Sequence, residues 1–172
     1  VMLPPGYEKG QRYPAVLHIH GGPWAQWSYS FNSESQLLAA QGYVVVMPNP
    51  RGSFGYGQAF TDALTGDWGN IDYGDVMSAM DFAIEEGWVD ADRMAVYGWS
   101  YGGFLTNHII TKTTRFKAAI SGAGETMVAA NYGHDEWQRL WEEEFGFPWL
   151  EENRPRYDHV SAFYSLDNVT TP

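Results

Sequence analysis

Short apolar runs recur along the chain and alternate with segments of helical periodicity. The runs are rich in Val, Ile and Ala, show no polar alternation, and cover residues 15–19, 43–47, 94–97 and 118–120. Runs of this kind are typical of parallel strands that are buried on both faces of a sheet. The pattern therefore predicts four parallel strands.

The segments between these runs carry the signals of helices. Residues 33–41 end before Gly42 and residues 72–86 end before Gly87, and glycine is the residue that most often follows a helix. A third helix is expected over residues 102–113. Strands and helices that alternate in this order form right-handed crossovers. The predicted fold class is α/β, with a mostly parallel sheet and helices on both faces.

One later segment carries an apolar stripe opposite an acidic run at residues 142–144. The stripe consists of Trp137, Leu140, Trp141 and Phe145. An amphipathic helix with a solvated acidic face explains this pattern, and core packing is favoured over a ligand site.

Composition and charge narrow the classes of function. The 172 residues include 10 Lys and Arg against 21 Asp and Glu, and the net charge of −11 repels nucleic-acid phosphates and anionic lipids. We expect no nucleic-acid and no membrane partner, and a soluble protein for which the cytoplasm is favoured. The chain has no cysteine, which excludes thiolate metal sites and a cysteine nucleophile. We expect no metal and no cofactor.

The strongest chemical motif is G-x-S-x-G at residues 98–102. It follows an apolar strand run and precedes a predicted helix, which is the context of a nucleophile elbow. In such an elbow a strained turn holds the serine hydroxyl clear of the sheet, and glycines are needed because the neighbouring backbones approach closely. Ser100 is therefore the candidate nucleophile.

A second motif, H-G-G at residues 20–22, ends the first predicted strand. Acyl transfer needs backbone N–H groups that face the developing oxyanion, and glycines allow the backbone to come close enough. Gly22 and Tyr101, the residue after the nucleophile, are the candidate donors. Read alone, the glycines would be a strand-terminating turn, but the elbow makes the catalytic interpretation the stronger one.

These residues belong to a larger set of motifs. H-G-G-P occurs at residues 20–23, N-P-R-G-S-x-G-Y-G at residues 49–57 and G-W-S-Y-G-G at residues 98–103. Together they resemble the catalytic domain of the prolyl oligopeptidase family of serine peptidases, in particular its acylaminoacyl-peptidase and dipeptidyl-peptidase-like branches. The likeness extends over essentially the whole chain.

The resemblance implies an α/β-hydrolase fold and the hydrolysis of short peptides or N-blocked amino acids by a Ser, Asp, His triad. By position, Ser100 resembles the nucleophile, and Gly22 and Tyr101 resemble the backbone oxyanion donors. In the family, the segment after the strand at residues 118–120 helps to line the pocket for the residue before the scissile bond. The candidates here are Ala123, Met127 and Tyr132, with ordinary core packing as the alternative.

The resemblance also implies parts that residues 1–172 do not contain. The family's acid and histidine lie on loops after two further strands, and a β-propeller domain precedes the hydrolase domain. We therefore expect this chain to be the N-terminal and central part of the domain, truncated before the last strands and nearly inactive alone. His108, His134 and His159 follow no buried strand run, and we do not expect any of them to be the base.

Two alternative functions stay open. A carboxylesterase uses the same acyl-enzyme chemistry as a serine peptidase. A non-catalytic binding domain would keep the α/β-hydrolase-like fold without the reaction. The intact G-x-S-x-G motif favours an enzyme, because an abandoned site has no reason to retain a strained turn.

Overall fold

A sheet of four parallel strands forms the centre of the computed structural model, which describes residues 1–172. The strands are β1 (Tyr13–Ile19), β2 (Val44–Val46), β3 (Val89–Trp99) and β4 (Ala118–Gly122), and their order in space is β2-β1-β3-β4. Each predicted apolar run coincides with or overlaps one of these strands. β3 begins at Val89, earlier than predicted, because Val89 pairs with Tyr13 ahead of a register shift.

Helices connect the strands and follow the last one. They are α1 (Ser33–Ala40), α2 (Gln58–Asp62), α3 (Ile71–Glu85), α4 (Tyr101–Lys112), α5 (Val128–Asn131), α6 (Gln138–Phe145), α7 (Arg154–His159) and a 3₁₀ helix (Ala162–Asn168). The fold class is α/β, as predicted. None of these helices has the length and apolar character required to cross a bilayer.

One face of the sheet, here called the covered face, packs against α3 and α4. In register, Leu17 of β1 lies beside Val46 of β2 and Val96 of β3, and Val96 lies beside Ala119 of β4. Residues from the two helices join these strand residues in a single core cluster; they include Val76, Met80, Phe104, Leu105 and Ile109. The covered face therefore holds most of the buried apolar surface.

The opposite face, here called the open face, is only partly covered, by α1. Ser35 of α1 lies 2.9 Å from His18 Nδ1, which places the helix over β1. Beyond α1 a groove of about 400 Å³ remains, and Leu37 and Ile120 at this groove are 65% and 63% exposed. The prediction that all four strands are buried on both faces is therefore wrong for β4, because no element packs over Ala118 and Ile120.

Candidate active site

Ser100 lies at the turn between β3 and α4. Its backbone angles are φ 56° and ψ −121°, and Ala123 is the only other non-glycine residue with positive φ. Such angles are costly for an L-amino acid and persist only where the surroundings enforce them. The Ser100 N–H donates to the Gly122 carbonyl at 2.8 Å, and the Ser100 carbonyl accepts from the Phe104 N–H at 2.9 Å. The turn is therefore fastened to β4 and to the first turn of α4.

Glycines allow this turn to close against the sheet. A Cβ on Gly98 would overlap the backbone of Gly102, and a Cβ on Gly102 would overlap the carbonyl of Ile19 at the end of β1. A Cβ on Gly103 would likewise overlap the backbone carbonyl of Gly122. The first turn of α4 thus rests directly on the ends of three strands, and no larger residue fits at these positions.

The loop that follows β1 runs beside Ser100. A Cβ on Gly21 would lie 3.5 Å from the Cβ of Ser100, and Gly22 has a φ of 126°, a conformation that glycine adopts without strain. Gly22, Ser100 and Tyr101 line one cavity. The two candidate oxyanion donors and the candidate nucleophile therefore share one site.

His20 contacts both this loop and the loop after β2. Its Nδ1 lies 2.6 Å from the Gly21 carbonyl and its Nε2 lies 3.0 Å from the Ser53 hydroxyl. The Ser53 hydroxyl in turn donates to the Pro50 carbonyl at 2.6 Å. Burial lowers the pKa of His20, and the hydrogen bond to the Gly21 carbonyl opposes this shift. The ring links the two loops and restricts movement of the glycine segment.

The side chain of Tyr101 is buried beneath the site. Its hydroxyl donates to Asp72 Oδ2 at 2.6 Å, and the N–H of Tyr73 donates to Asp72 Oδ1 at 3.0 Å. Burial raises the pKa of Asp72 to about 6, although the hydrogen bonds from Tyr101 and Tyr73 oppose this shift. Asp72 on α3 therefore holds the residue whose N–H is one of the candidate oxyanion donors.

A cavity of about 200 Å³ opens above Ser100. Most of its walls are aromatic or aliphatic, and its lining residues are Gly22, Trp24, Trp68, Ser100, Tyr101, Glu125, Trp137, Leu140 and Trp141. Drug-sized ligand sites usually measure roughly 300–1,000 Å³. The smaller volume here is suited to one side chain of a substrate.

The three residues predicted for the substrate pocket lie nearby but not in this lining. Ala123 has a φ of 49° at the end of β4, and Met127 precedes α5. The Tyr132 hydroxyl donates to Glu142, and the Tyr132 ring packs edge-on against Trp149 at 5.6 Å between centroids. Their contribution to substrate binding stays a prediction.

Two cavity features were not anticipated from the sequence. No sequence motif points to Glu125, although it lies three residues beyond β4 on the loop expected to line the pocket. The apolar stripe predicts core packing for Trp137, but this side chain is 56% exposed and lines the cavity. Trp141 and Phe145 of the same stripe are buried. Trp137 precedes the first residue of α6, so helical spacing does not describe its position.

The hydrogen bonds of the histidine rings run to residues other than Ser100. His18 bonds to Ser35, His108 Nε2 lies 3.1 Å from the Val160 carbonyl, and His159 pairs with Asp67 at 3.0 Å. His134 makes no side-chain hydrogen bond, and its position is exposed. Residues 1–172 therefore bring together the candidate nucleophile and the candidate oxyanion donors, but no histidine is hydrogen-bonded to Ser100.

The chain is similar to peptidases. A family model described as the prolyl oligopeptidase family matches residues 28–172. An uncharacterized peptidase of Bacillus subtilis is 50% identical over 122 residues, which cover 70% of this chain and 19% of that protein. A probable dipeptidyl-peptidase 5 of Emericella nidulans is 39% identical over 167 residues, which cover 92% of this chain and 23% of that protein. The chain thus spans between 19% and 23% of the length of these two relatives.

Solved structures show the same likeness. An acylaminoacyl peptidase of Pyrococcus horikoshii has a TM-score of 0.90 and 32% identity, with 98% of this chain and 28% of that chain covered. A puromycin-hydrolyzing peptidase of Mycobacterium tuberculosis has a TM-score of 0.86 and 30% identity, with 98% of this chain and 26% of that chain covered. The sheet and its helices accordingly form an α/β-hydrolase fold.

Proposed function

The chain belongs to the prolyl oligopeptidase family of peptidases, and from that premise we propose that it carries the nucleophile and oxyanion hole of a serine peptidase. The substrates are short peptides or N-blocked amino acids. The observation that carries the proposal is the strained Ser100 turn, which opens into the same cavity as Gly22 and Tyr101. Strain of this kind is retained where it serves a function.

In the proposed reaction the Ser100 hydroxyl attacks the scissile carbonyl. The carbonyl oxygen becomes an oxyanion and accepts hydrogen bonds from the N–H groups of Gly22 and Tyr101. Collapse of this intermediate expels the amine and leaves the acyl group on the Ser100 oxygen. Water then attacks the acyl-enzyme, and the acid product leaves with the serine hydroxyl restored.

Both steps need a base that removes a proton and returns it to the leaving group. We propose that this base is a histidine, and that the histidine and its acid partner come from sequence that follows residue 172. The Pro172 carbonyl accepts from the Ala119 N–H on β4 at 2.9 Å, and the Thr171 hydroxyl donates to the Phe116 carbonyl at 3.2 Å. Because this segment already pairs with the edge strand, chain that continues from it is well placed to extend the sheet next to β4. A β-propeller domain N-terminal to residue 1 is part of the same proposal.

A fluorophosphonate probe, which forms a covalent bond with an activated serine, tests this function. The full-length protein is expected to label quickly at Ser100, as located by peptide mass spectrometry. The isolated chain of residues 1–172 is expected to label slower by roughly 10⁴–10⁶, the usual cost of removing triad members.

Two variants complete the test. Ser100→Ala should abolish labelling of the full-length protein, whereas Ser30→Ala, which changes a serine in an exposed turn, should label like the wild type. Persistent labelling of Ser100→Ala would reject Ser100 as the nucleophile. Equal labelling rates for the full-length protein and for residues 1–172 would show that the base lies within this chain.

A further inference from the structure

Glu125 is placed beside the nucleophile by close packing of its loop on α4. The Asn107 side-chain amide donates to the carbonyls of Gly124 and Glu125, at 3.3 and 3.1 Å. A Cβ on Gly124 would lie within 2.5 Å of the Phe104 N–H nitrogen, so this loop lies directly on the first turn of α4. The same turn begins at Ser100. The position of Glu125 relative to the nucleophile is therefore fixed by backbone contacts.

The Glu125 carboxylate pairs with no other side chain. It makes no hydrogen bond to another side chain, and none of the ion pairs includes it. Burial raises the pKa of Glu125, the hydrogen bond from its own backbone N–H opposes this shift, and the negative charge of Asp135 adds to it. Both carboxylate oxygens of Asp135 accept a hydrogen bond from Trp141 Nε1, Oδ1 at 3.2 Å and Oδ2 at 3.0 Å. A cationic ligand would relieve the unfavourable charge at Glu125.

The remaining cavity wall suits the same kind of ligand. Trp24, Trp137 and Trp141 line it, and the lining contains no Lys, Arg or His. Aromatic faces attract ammonium and guanidinium groups, and the attraction grows when water is excluded. An anionic group would instead meet the charge of Glu125 with no compensating cation. The cavity thus combines a carboxylate that pairs with no other side chain, aromatic walls and room for one side chain.

We propose that Glu125 is a specificity-determining residue that selects substrates with a cationic group next to the scissile bond. The cation is either the side chain of an Arg or Lys residue or the free α-ammonium group of a short peptide. The inference rests on the proposed function, since the cavity is a substrate site only if Ser100 is the nucleophile.

Substrate pairs that differ only in charge test this inference on the full-length protein. The first pair consists of N-acetylated amides with arginine or with citrulline, its neutral analogue, before the scissile bond. The second pair consists of norleucine-containing dipeptide amides with a free or an acetylated N-terminus. The ratio of kcat/KM within each pair measures the preference for the cation.

The wild type should prefer the charged member of one pair roughly tenfold to hundredfold, the effect of one charge-assisted hydrogen bond. The pair that shows the preference identifies the source of the cation. Glu125→Gln should reduce this preference to near unity, because it should lower kcat/KM far more for the charged member than for the neutral member. Glu152→Gln, which makes the same chemical change at an exposed position, should keep the wild-type preference.

Three results would overturn the inference. The wild type could show no preference in either pair, Glu125→Gln could lower kcat/KM for both members equally, or Glu152→Gln could lose the preference as well. The first comparison requires no variant, so it holds even if Glu125→Gln does not fold.

Binding separates this inference from the proposed function. Ser100→Ala can be titrated calorimetrically with N-acetyl-arginine amide and with N-acetyl-citrulline amide. The same titration can be made with the free and the acetylated norleucine dipeptides. Neither titration requires catalysis. If no substrate is cleaved but the charged ligand binds tighter in a Glu125-dependent way, the proposed function fails and the cation site stands. If cleavage proceeds without charge preference and neither charged ligand binds tighter, the cation site fails and the proposed function stands.

Discussion

The two faces of the sheet are built from the same strands but differ in how they are covered. On β1, Leu17 and Ile19 of the covered face are 0% and 1% exposed, and α3 and α4 pack against them. On β4, Ile120 of the open face is 63% exposed above an apolar groove. Alternate residues of parallel strands point to opposite faces, so the difference arises from the covering elements and not from the strands themselves.

Ser100 is supported by the strand ends and by the helices of the covered face. The first turn of α4 rests on the ends of β1, β3 and β4 through Gly98, Gly102 and Gly103. Tyr101 beneath it is held by Asp72 on α3. Both helices, α3 and α4, pack on the covered face. The open face contributes none of the contacts that hold Ser100 in its strained conformation, so changes on the two faces should have different consequences for the site.

The largest effect is expected from Gly102→Ala on the covered face. The added methyl group would overlap the Ile19 carbonyl, which is backbone and has no freedom to rotate away. We expect the free energy of unfolding to fall by about 4 kcal/mol or more, since α4 must move off β1. Urea denaturation measures this free energy. Labelling of Ser100 by the fluorophosphonate probe should be lost in the same variant.

Gly74→Ala is the matched control for this substitution. Gly74 lies on the exposed side of α3, and a Cβ there would meet no atom within 4 Å. Replacing glycine by alanine inside a helix is expected to stabilise by roughly 0.5–1 kcal/mol. If Gly102→Ala proved as harmless as Gly74→Ala, the close contact between α4 and β1 would not exist as described.

A matched pair of isoleucines compares the faces directly. Ile19→Ala on the covered face should lower the free energy of unfolding by about 2–5 kcal/mol, because it leaves a cavity in a packed core. Ile120→Ala on the open face should change it by less than about 0.5 kcal/mol. Denaturant titration measures both.

Ile19→Val, expected to cost about 0.5–1.5 kcal/mol, extends the comparison if the alanine variant does not fold. Similar losses for Ile19→Ala and Ile120→Ala would mean that the open face is covered in solution.

The sequence was sufficient to predict the features that depend on local chemistry. Continuous apolar runs predict buried parallel strands, and G-x-S-x-G predicts the turn at Ser100 because only glycines allow so close an approach of backbones. The exposure of Ile120 could not be predicted, since burial depends on what packs over a strand. Glu125 was missed for a similar reason. Its place in the cavity depends on Asn107, a residue 18 positions earlier whose amide holds the loop.

A pH dependence of stability also originates on the covered face. His108 of α4 is 2% exposed, and burial lowers its pKa to about 4 from the ordinary value of 6.5. The folded protein therefore binds this proton more weakly than the unfolded chain does. The stabilisation is fully present above pH 6.5 and is lost as the pH falls towards 4. Full loss corresponds to about 3 kcal/mol.

His108→Gln removes this titration, and the glutamine amide retains an N–H donor for the Val160 carbonyl. Free energies of unfolding measured between pH 4 and pH 7 should decline less steeply for this variant than for the wild type. The control is His134→Gln at an exposed position, which should keep the wild-type slope. Asp72 has the opposite effect on stability in the same pH range, because its raised pKa favours the folded state at low pH. The difference in pH slope between His108→Gln and the wild type therefore isolates the contribution of His108. Equal slopes for His108→Gln and the wild type would mean that water reaches the ring and that the covered face is less closely packed around α4 than described.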